Sequence, residues 1–133
     1  MPEPEWLEPD LVIEIHKRNL FRYGGAPGVR DLALLLSALA RPQWLYRFDS
    51  ATDLHRLAAS YAFGIVKNHP FVDGNKRMGF LSAYIFLRFN GWYLTASERD
   101  AVRSMLALAD GTLNEEEFAA WLRSQSEAVP SGL

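Results

Sequence analysis

The sequence predicts an all-α fold, a compact single-domain helical bundle, on three observations. Apolar residues recur at i, i+3, i+4 and i+7 in several segments, capping residues open those segments, and glycine or proline closes them. The only extended stretch is the short connection Trp92–Leu94. The 133 residues suit one domain, and an apolar share of 49% is enough to build a single core.

Residues 1–8, rich in Pro and Glu, read as a loose lead-in docked only by Trp6 and Leu7. Pro9 suits an early helical position, and Leu11, Val12, Ile15 and Leu20 give an amphipathic first helix that ends before Gly24 and Gly25. His16 on this helix has two readings, a partly buried histidine bonded to nearby backbone or a contact supporting a functional site. The segment Tyr23–Arg30, with three glycines and a proline, is a loop of unusual freedom, either a linker or a functional loop.

Asp31 caps a second helix, Leu32–Ala40, expected to be buried nearly all round and closed by Pro42. Trp44, Leu45, Tyr46 and Phe48 then form an aromatic connection. Thr52 or Asp53 starts the third helix, whose stripe of Leu54, Leu57, Ala58, Tyr61, Ala62, Ile65 and Val66 faces the core and leaves His55 solvated on the other side. Pro70 disfavours the helical conformation for His69 and ends that helix. A deeply buried central helix, about Asn75 to Phe89, follows the loop and stops at Gly91. Ser97 with Asp100, and Asn114 with Glu117, cap two last helices, the first with Ala101, Val102, Met105, Leu106 and Leu108 inward, the second with Phe118, Trp121 and Leu122 inward. The domain thus spans 9–124, and residues 125–133 read as a disordered tail.

Between the third and central helices lies NHPFVDGNKR, Asn68–Arg77, expected to be a strand-free loop running into a helix N-terminus. There, backbone N–H groups lack intrahelical partners and the dipole favours an anion. Lys76 and Arg77 in that first turn oppose the macrodipole at about 0.3 to 1 kcal/mol each when exposed, a penalty an anionic ligand reverses. Gly74 lets backbone approach a ligand, and Asn75 can cap the helix or donate to an oxygen. Asp73 is a hard oxygen ligand of the kind Mg²⁺ prefers, and His69 is a base suited to taking a proton from a hydroxyl. These are parts for phosphoryl or nucleotidyl transfer; the same residues also suit a plain turn with a capped, solvated helix end.

Composition narrows the alternatives. A formal charge of −2 with both signs interspersed gives no basic stripe for nucleic acid. The absence of cysteine excludes disulfides, thiolate chemistry and thiol-based zinc sites. No run resembles a membrane span or a secretory signal, so a cytoplasmic location is the default expectation.

HPFVDGNKR resembles the signature loop of the Fic/Doc (Fido) family, HPFx[DE]GNGR, and its GNKR ending resembles the Doc branch, the death-on-curing toxins of toxin–antitoxin systems. RYGGAPGVRD, SALARPQ and FLRFNG are also similar to Doc-type sequence, so the resemblance covers about Leu11 to Leu122. It implies ATP and Mg²⁺ as cofactors. It implies that His69 activates a protein hydroxyl, that Asp73 holds Mg²⁺, that Gly74, Asn75 and Arg77 bind phosphate, and that Phe71 anchors the loop. It also implies that Tyr23, Gly24, Gly25 and Arg30 line the rim of the site.

Lys76 stands where the adenylylating branch has glycine. In the Doc branch this lysine accompanies a reversed ATP whose γ-phosphate meets the acceptor, so a protein kinase is expected ahead of an adenylyltransferase, with a catalytically silent binding module as a third reading. The implied substrate is elongation factor Tu, and the implied partner is an antitoxin whose tail folds as a helix into a groove beside the site. An internal inhibitory helix, [ST]xxxE[GN], is not expected: Thr112 to Glu116 is the nearest match, but Glu117 follows where Gly or Asn belongs.

Overall fold

A computed structural model describes residues 3–130. Six helices run in the order α1 (Pro9–Tyr23), α2 (Leu32–Phe48), α3 (Leu54–Asn68), α4 (Asn75–Phe89), α5 (Glu98–Asp110) and α6 (Glu115–Ser124). Two short strands, β1 (Trp92–Leu94) and β2 (Ser126–Ala128), pair antiparallel with Tyr93 opposite Glu127.

The caps form where local chemistry dictates. Asp31 accepts from the Leu34 N–H, Asp53 from the Arg56 N–H and Ser97 from the Asp100 N–H, while Asn114 and Glu117 close a reciprocal capping box. Helix α3 is the hub and packs against α2, α4 and α6, with Leu57, Tyr61 and Ile65 fully buried. Two glycines set how closely its neighbours approach. A Cβ on Gly64 would lie 3.2 Å from Ala38 Cα of α2, and one on Gly79 of α4 would meet the Ala62 carbonyl oxygen of α3 at the same distance. The lead-in docks through Leu7, whose N–H donates to the buried Tyr61 hydroxyl at 3.0 Å, and through Trp6 stacked on Phe86.

Several expectations are corrected. Pro42 does not close α2; the helix runs on to Phe48 with Pro42 inside it. The lost hydrogen bond and ring clash cost about 3 kcal/mol, but the ring is fully buried and continues the stripe Leu35, Ala38, Leu39, Pro42. Nor is α2 buried all round, since Leu32 and Leu36 are exposed. His55 is buried rather than solvated: the Trp92 ring of β1 meets it edge-on at 4.6 Å, and Arg123 of α6 pairs with Asp53 two residues before it. On α5, Val102 and Leu106 are exposed while Ala101, Met105 and Leu108 face inward. Phe89 at the end of α4 is likewise exposed. Residues Ser126–Ala128, expected in a disordered tail, form β2, and 131–133 lie outside the described residues, as do Met1 and Pro2 of the lead-in.

Candidate active site

The loop between α3 and α4 is held in an unusual backbone shape from three directions. His69 ends α3 in the left-handed region at φ 51°, the only non-glycine with positive φ among the described residues. Pro70 bars the helical alternative, and such a conformation costs of order 1–2 kcal/mol unless its surroundings impose it. Arg30 imposes it. Its guanidinium donates to the carbonyls of His69 (2.8 Å) and Asn68 (3.0 Å), and its own N–H donates to the Pro70 carbonyl at 2.7 Å. Arg30 therefore braces the loop from outside, and the His69 side chain is left exposed.

Phe71, the loop anchor implied by the resemblance, is fully buried. It also makes an isolated antiparallel bridge with Val29, so the loop is not strand-free as expected. The Asn75 side chain accepts from the Phe71 N–H (3.0 Å) and donates to the Phe71 carbonyl (2.9 Å). The expectation that Asn75 caps α4 is thus corrected. Gly74, at φ 81°, is the N-cap, and the amide reaches back to pair both backbone groups of a buried residue, which outweighs one cap bond. The Asn75 side chain is thereby occupied, and its backbone N–H meets no acceptor among the described residues. On the α1 side, the His16 ring stacks on Phe71 at 4.0 Å and donates from Nε2 to the Asp73 carbonyl at 2.9 Å. The first reading of His16 is met, a buried histidine bonded to backbone, and the backbone it bonds belongs to the loop.

The Asp73 carboxylate is oriented by two backbone donors, Gly74 N–H to Oδ1 (2.8 Å) and Ala26 N–H to Oδ2 (3.2 Å). Gly25 is required by this closeness: at φ 120°, a Cβ there would sit 3.0 Å from Asp73 Oδ2. Gly24 makes no comparable approach, and its part is to terminate α1. Each carboxylate oxygen keeps a lone pair for a further partner. Among the described residues no cluster of three or more His, Asp or Glu forms a cage for a metal. A carboxylate with free lone pairs is a hard oxygen ligand that could hold Mg²⁺.

At the start of α4 the N–H groups of Asn75, Lys76 and Arg77 meet no acceptor among the described residues; the first to do so is Met78, bonded to the Gly74 carbonyl. Lys76 and Arg77 are exposed and pair with no carboxylate among those residues, and the Arg77 guanidinium lies 4.2 Å from the centre of the Tyr23 ring. The elements of an anion site coincide here: free donors, the positive end of a helix dipole, and two unneutralised cations. From Lys76 and Arg77 a groove of about 480 Å³ runs between α1, α4 and α5, walled by Tyr23, Tyr84, Val102 and Leu106. Val102 and Leu106 are exposed because they form this wall.

Comparison with known proteins gives the family of the chain. The sequence model of the Fic/DOC family matches residues 6–87, more than half of the chain and including the whole loop. This chain belongs to the Fic/DOC family. Among Fic/DOC proteins it is similar to the "Toxin Doc" of Mycolicibacterium smegmatis (strain ATCC 700084 / mc(2)155), with 43% identity over 114 residues, 83% of this chain and 87% of that protein. It is also similar to the "Protein kinase doc" of Escherichia phage P1, with 36% identity over 85 residues, 64% of this chain and 68% of that protein.

The sequence places His69, Phe71, Asp73, Gly74, Lys76 and Arg77 in one contiguous stretch, and the structure puts the first four in the loop and Lys76 and Arg77 in the first turn of α4. Sequence reasoning did not find the bracing by Arg30, the Ala26 N–H on Asp73, or the stacking of Tyr23 on Arg77. One signal was available for His16: it lies four residues after Val12, on the buried face of α1.

Proposed function

We propose that this protein is a Doc-type toxin that transfers the γ-phosphate of ATP to a hydroxyl of a protein substrate. The reading is carried by the start of α4, where three N–H groups and two cations without partners among the described residues lie beside an oriented carboxylate and an exposed histidine. In this mechanism the substrate hydroxyl gives its proton to His69, and the oxygen attacks the γ-phosphorus. The bond between that phosphorus and the bridging oxygen breaks, and ADP leaves. The N–H groups of Asn75–Arg77 and the Lys76 and Arg77 side chains would stabilise charge on the phosphates. Mg²⁺, held by Asp73 together with the phosphates, would neutralise their charge and fix their orientation.

Lys76 favours phosphoryl over adenylyl transfer, because a long cation where the adenylylating branch has glycine crowds one phosphate path and meets the transferring group. The name "Protein kinase doc" of the phage relative supports the same choice. The substrate implied by resemblance is elongation factor Tu, whose modification would halt growth, in the cytoplasm. An antitoxin helix is the partner expected in the groove beside Lys76 and Arg77, whose wall is apolar along Phe80, Val102 and Leu106. A self-inhibitory role for the stretch after Thr112 is disfavoured. The glutamate of the inhibitory pattern would be Glu116, and Glu117 follows it where the pattern has Gly or Asn.

Induced expression in a host lacking the antitoxin tests the proposal: the parent should arrest growth and His69→Ala should not. Equal toxicity of the two, at equal protein levels, would remove the catalytic reading. Calorimetry with ATP and Mg²⁺ should show weaker binding by Arg77→Ala, and unchanged affinity would count against the phosphate placement.

A further inference from the structure

We infer that His16 is a positioning residue of the site, acting by locking the peptide plane between Asp73 and Gly74. A carbonyl oxygen can only accept, so the 2.9 Å contact fixes Nε2 as the protonated nitrogen of His16. No cis peptide occurs among the described residues, so the Asp73 C=O and the Gly74 N–H point to opposite edges of one plane. The first edge is bound by His16. The second donates to Asp73 Oδ1 at 2.8 Å. One donor on α1 thus sets, through a rigid plane, the orientation of the carboxylate two bonds away from the backbone it holds.

Burial makes this lock effective. His16 is 2% exposed and its ring lies nearly parallel to that of Phe71, at 14°, so the imidazole cannot swing away without disturbing the loop anchor. The plane needs a lock because Gly74 follows it. A glycine at φ 81° has no Cβ to resist rotation of the preceding peptide, and a Cβ there would find its nearest neighbour in His16 Nε2, 3.8 Å away. Turning the plane over would point the Asp73 carbonyl toward the carboxylate and remove the Gly74 donor, leaving only Ala26 to orient Asp73.

Two variants separate the lock from mere core filling. His16→Phe keeps a ring to stack on Phe71 but cannot donate; His16→Gln keeps a donor near the Nε2 position but loses the ring. For His16→Phe, amide hydrogen exchange within 69–77 should quicken while exchange in α3 and α6 stays as in the parent. His16→Gln should restore most of the loop's protection. For transfer activity, which rests on the function proposed above, His16→Phe should lose about tenfold, the lower end for a residue supporting a metal ligand, with a raised Mg²⁺ requirement. Partial recovery in His16→Gln is expected. Loop exchange in His16→Phe equal to that of the parent would overturn the inference. So would loss spread evenly over the whole chain in both variants. If the parent transfers nothing, the transferase reading fails and the exchange measurement still decides the role of His16.

Discussion

Replacing Asn75 by alanine should be among the most damaging single changes to the loop, and its cost can be worked from two bonds. The amide satisfies both the N–H and the C=O of Phe71, a residue with 0% exposure. Alanine orphans both groups where water has little access, at about 1–3 kcal/mol each. Some opening of the loop will rehydrate one of them, so a loss of about 2–4 kcal/mol is expected. For a chain of this length that corresponds to a fall in Tm of roughly 6–16 °C. Asn75→Asp should fare no better, because it keeps the acceptor for the Phe71 N–H but turns an anion toward the Phe71 carbonyl. Urea denaturation followed by circular dichroism measures both variants. A loss below about 1 kcal/mol in Asn75→Ala would refute the accounting, and with it the claim that the amide fastens the loop.

Three further predictions test other parts of the molecule. Burial pushes the Tyr61 hydroxyl from 10.0 up to about 12, opposed by its bond from the Leu7 N–H. The unfolded chain therefore loses this proton first, so stability is intact below pH 10 and about 2–3 kcal/mol of it is lost between pH 10 and 12. Tyr61→Phe should lose that part of the alkaline decline, and identical parent and variant profiles over that range would contradict it. Burial, with repulsion from Arg123, holds His55 below its ordinary 6.5 despite the opposing pull of Asp53. Its contribution is present above that value and lost as pH falls through the depressed native one, so His55→Leu should flatten the acid side of the stability curve, measured by urea midpoints from pH 7 to 4. Gly25→Ala puts a Cβ against Asp73 Oδ2 at a backbone angle alanine avoids, and should reduce Mg²⁺-dependent nucleotide binding by more than it reduces Tm; unchanged binding in calorimetry would show that the carboxylate does not need that position.

What could be read from the sequence follows from the range of the forces involved. Asp31, Asp53, Ser97 and Asn114 cap their helices through bonds to residues three positions away, so composition alone reveals them. Pro42 misled because its ring is buried in the stripe of α2, a tertiary fact that overrides the local penalty. His55 misled similarly: it stands off the apolar stripe of α3, and it is Trp92 on the returning β1 that meets it. The tail was misjudged because β2 is polar and is ordered by pairing with β1 rather than by hydrophobic burial. The candidate site was legible because its parts are contiguous from His69 to Arg77. Its supports were not, since Arg30, Ala26 and His16 lie 38 to 57 residues away in the chain from the groups they bind.

The proposed chemistry is tested most directly by the position of the transferred label. The purified protein, free of any antitoxin, is incubated with cell lysate, Mg²⁺ and ATP labelled at either the γ- or the α-phosphate. Label should pass to protein from the γ-position only, and His69→Ala should abolish it. Transfer from the α-position only, or from neither, would contradict the assignment of this loop to phosphoryl transfer.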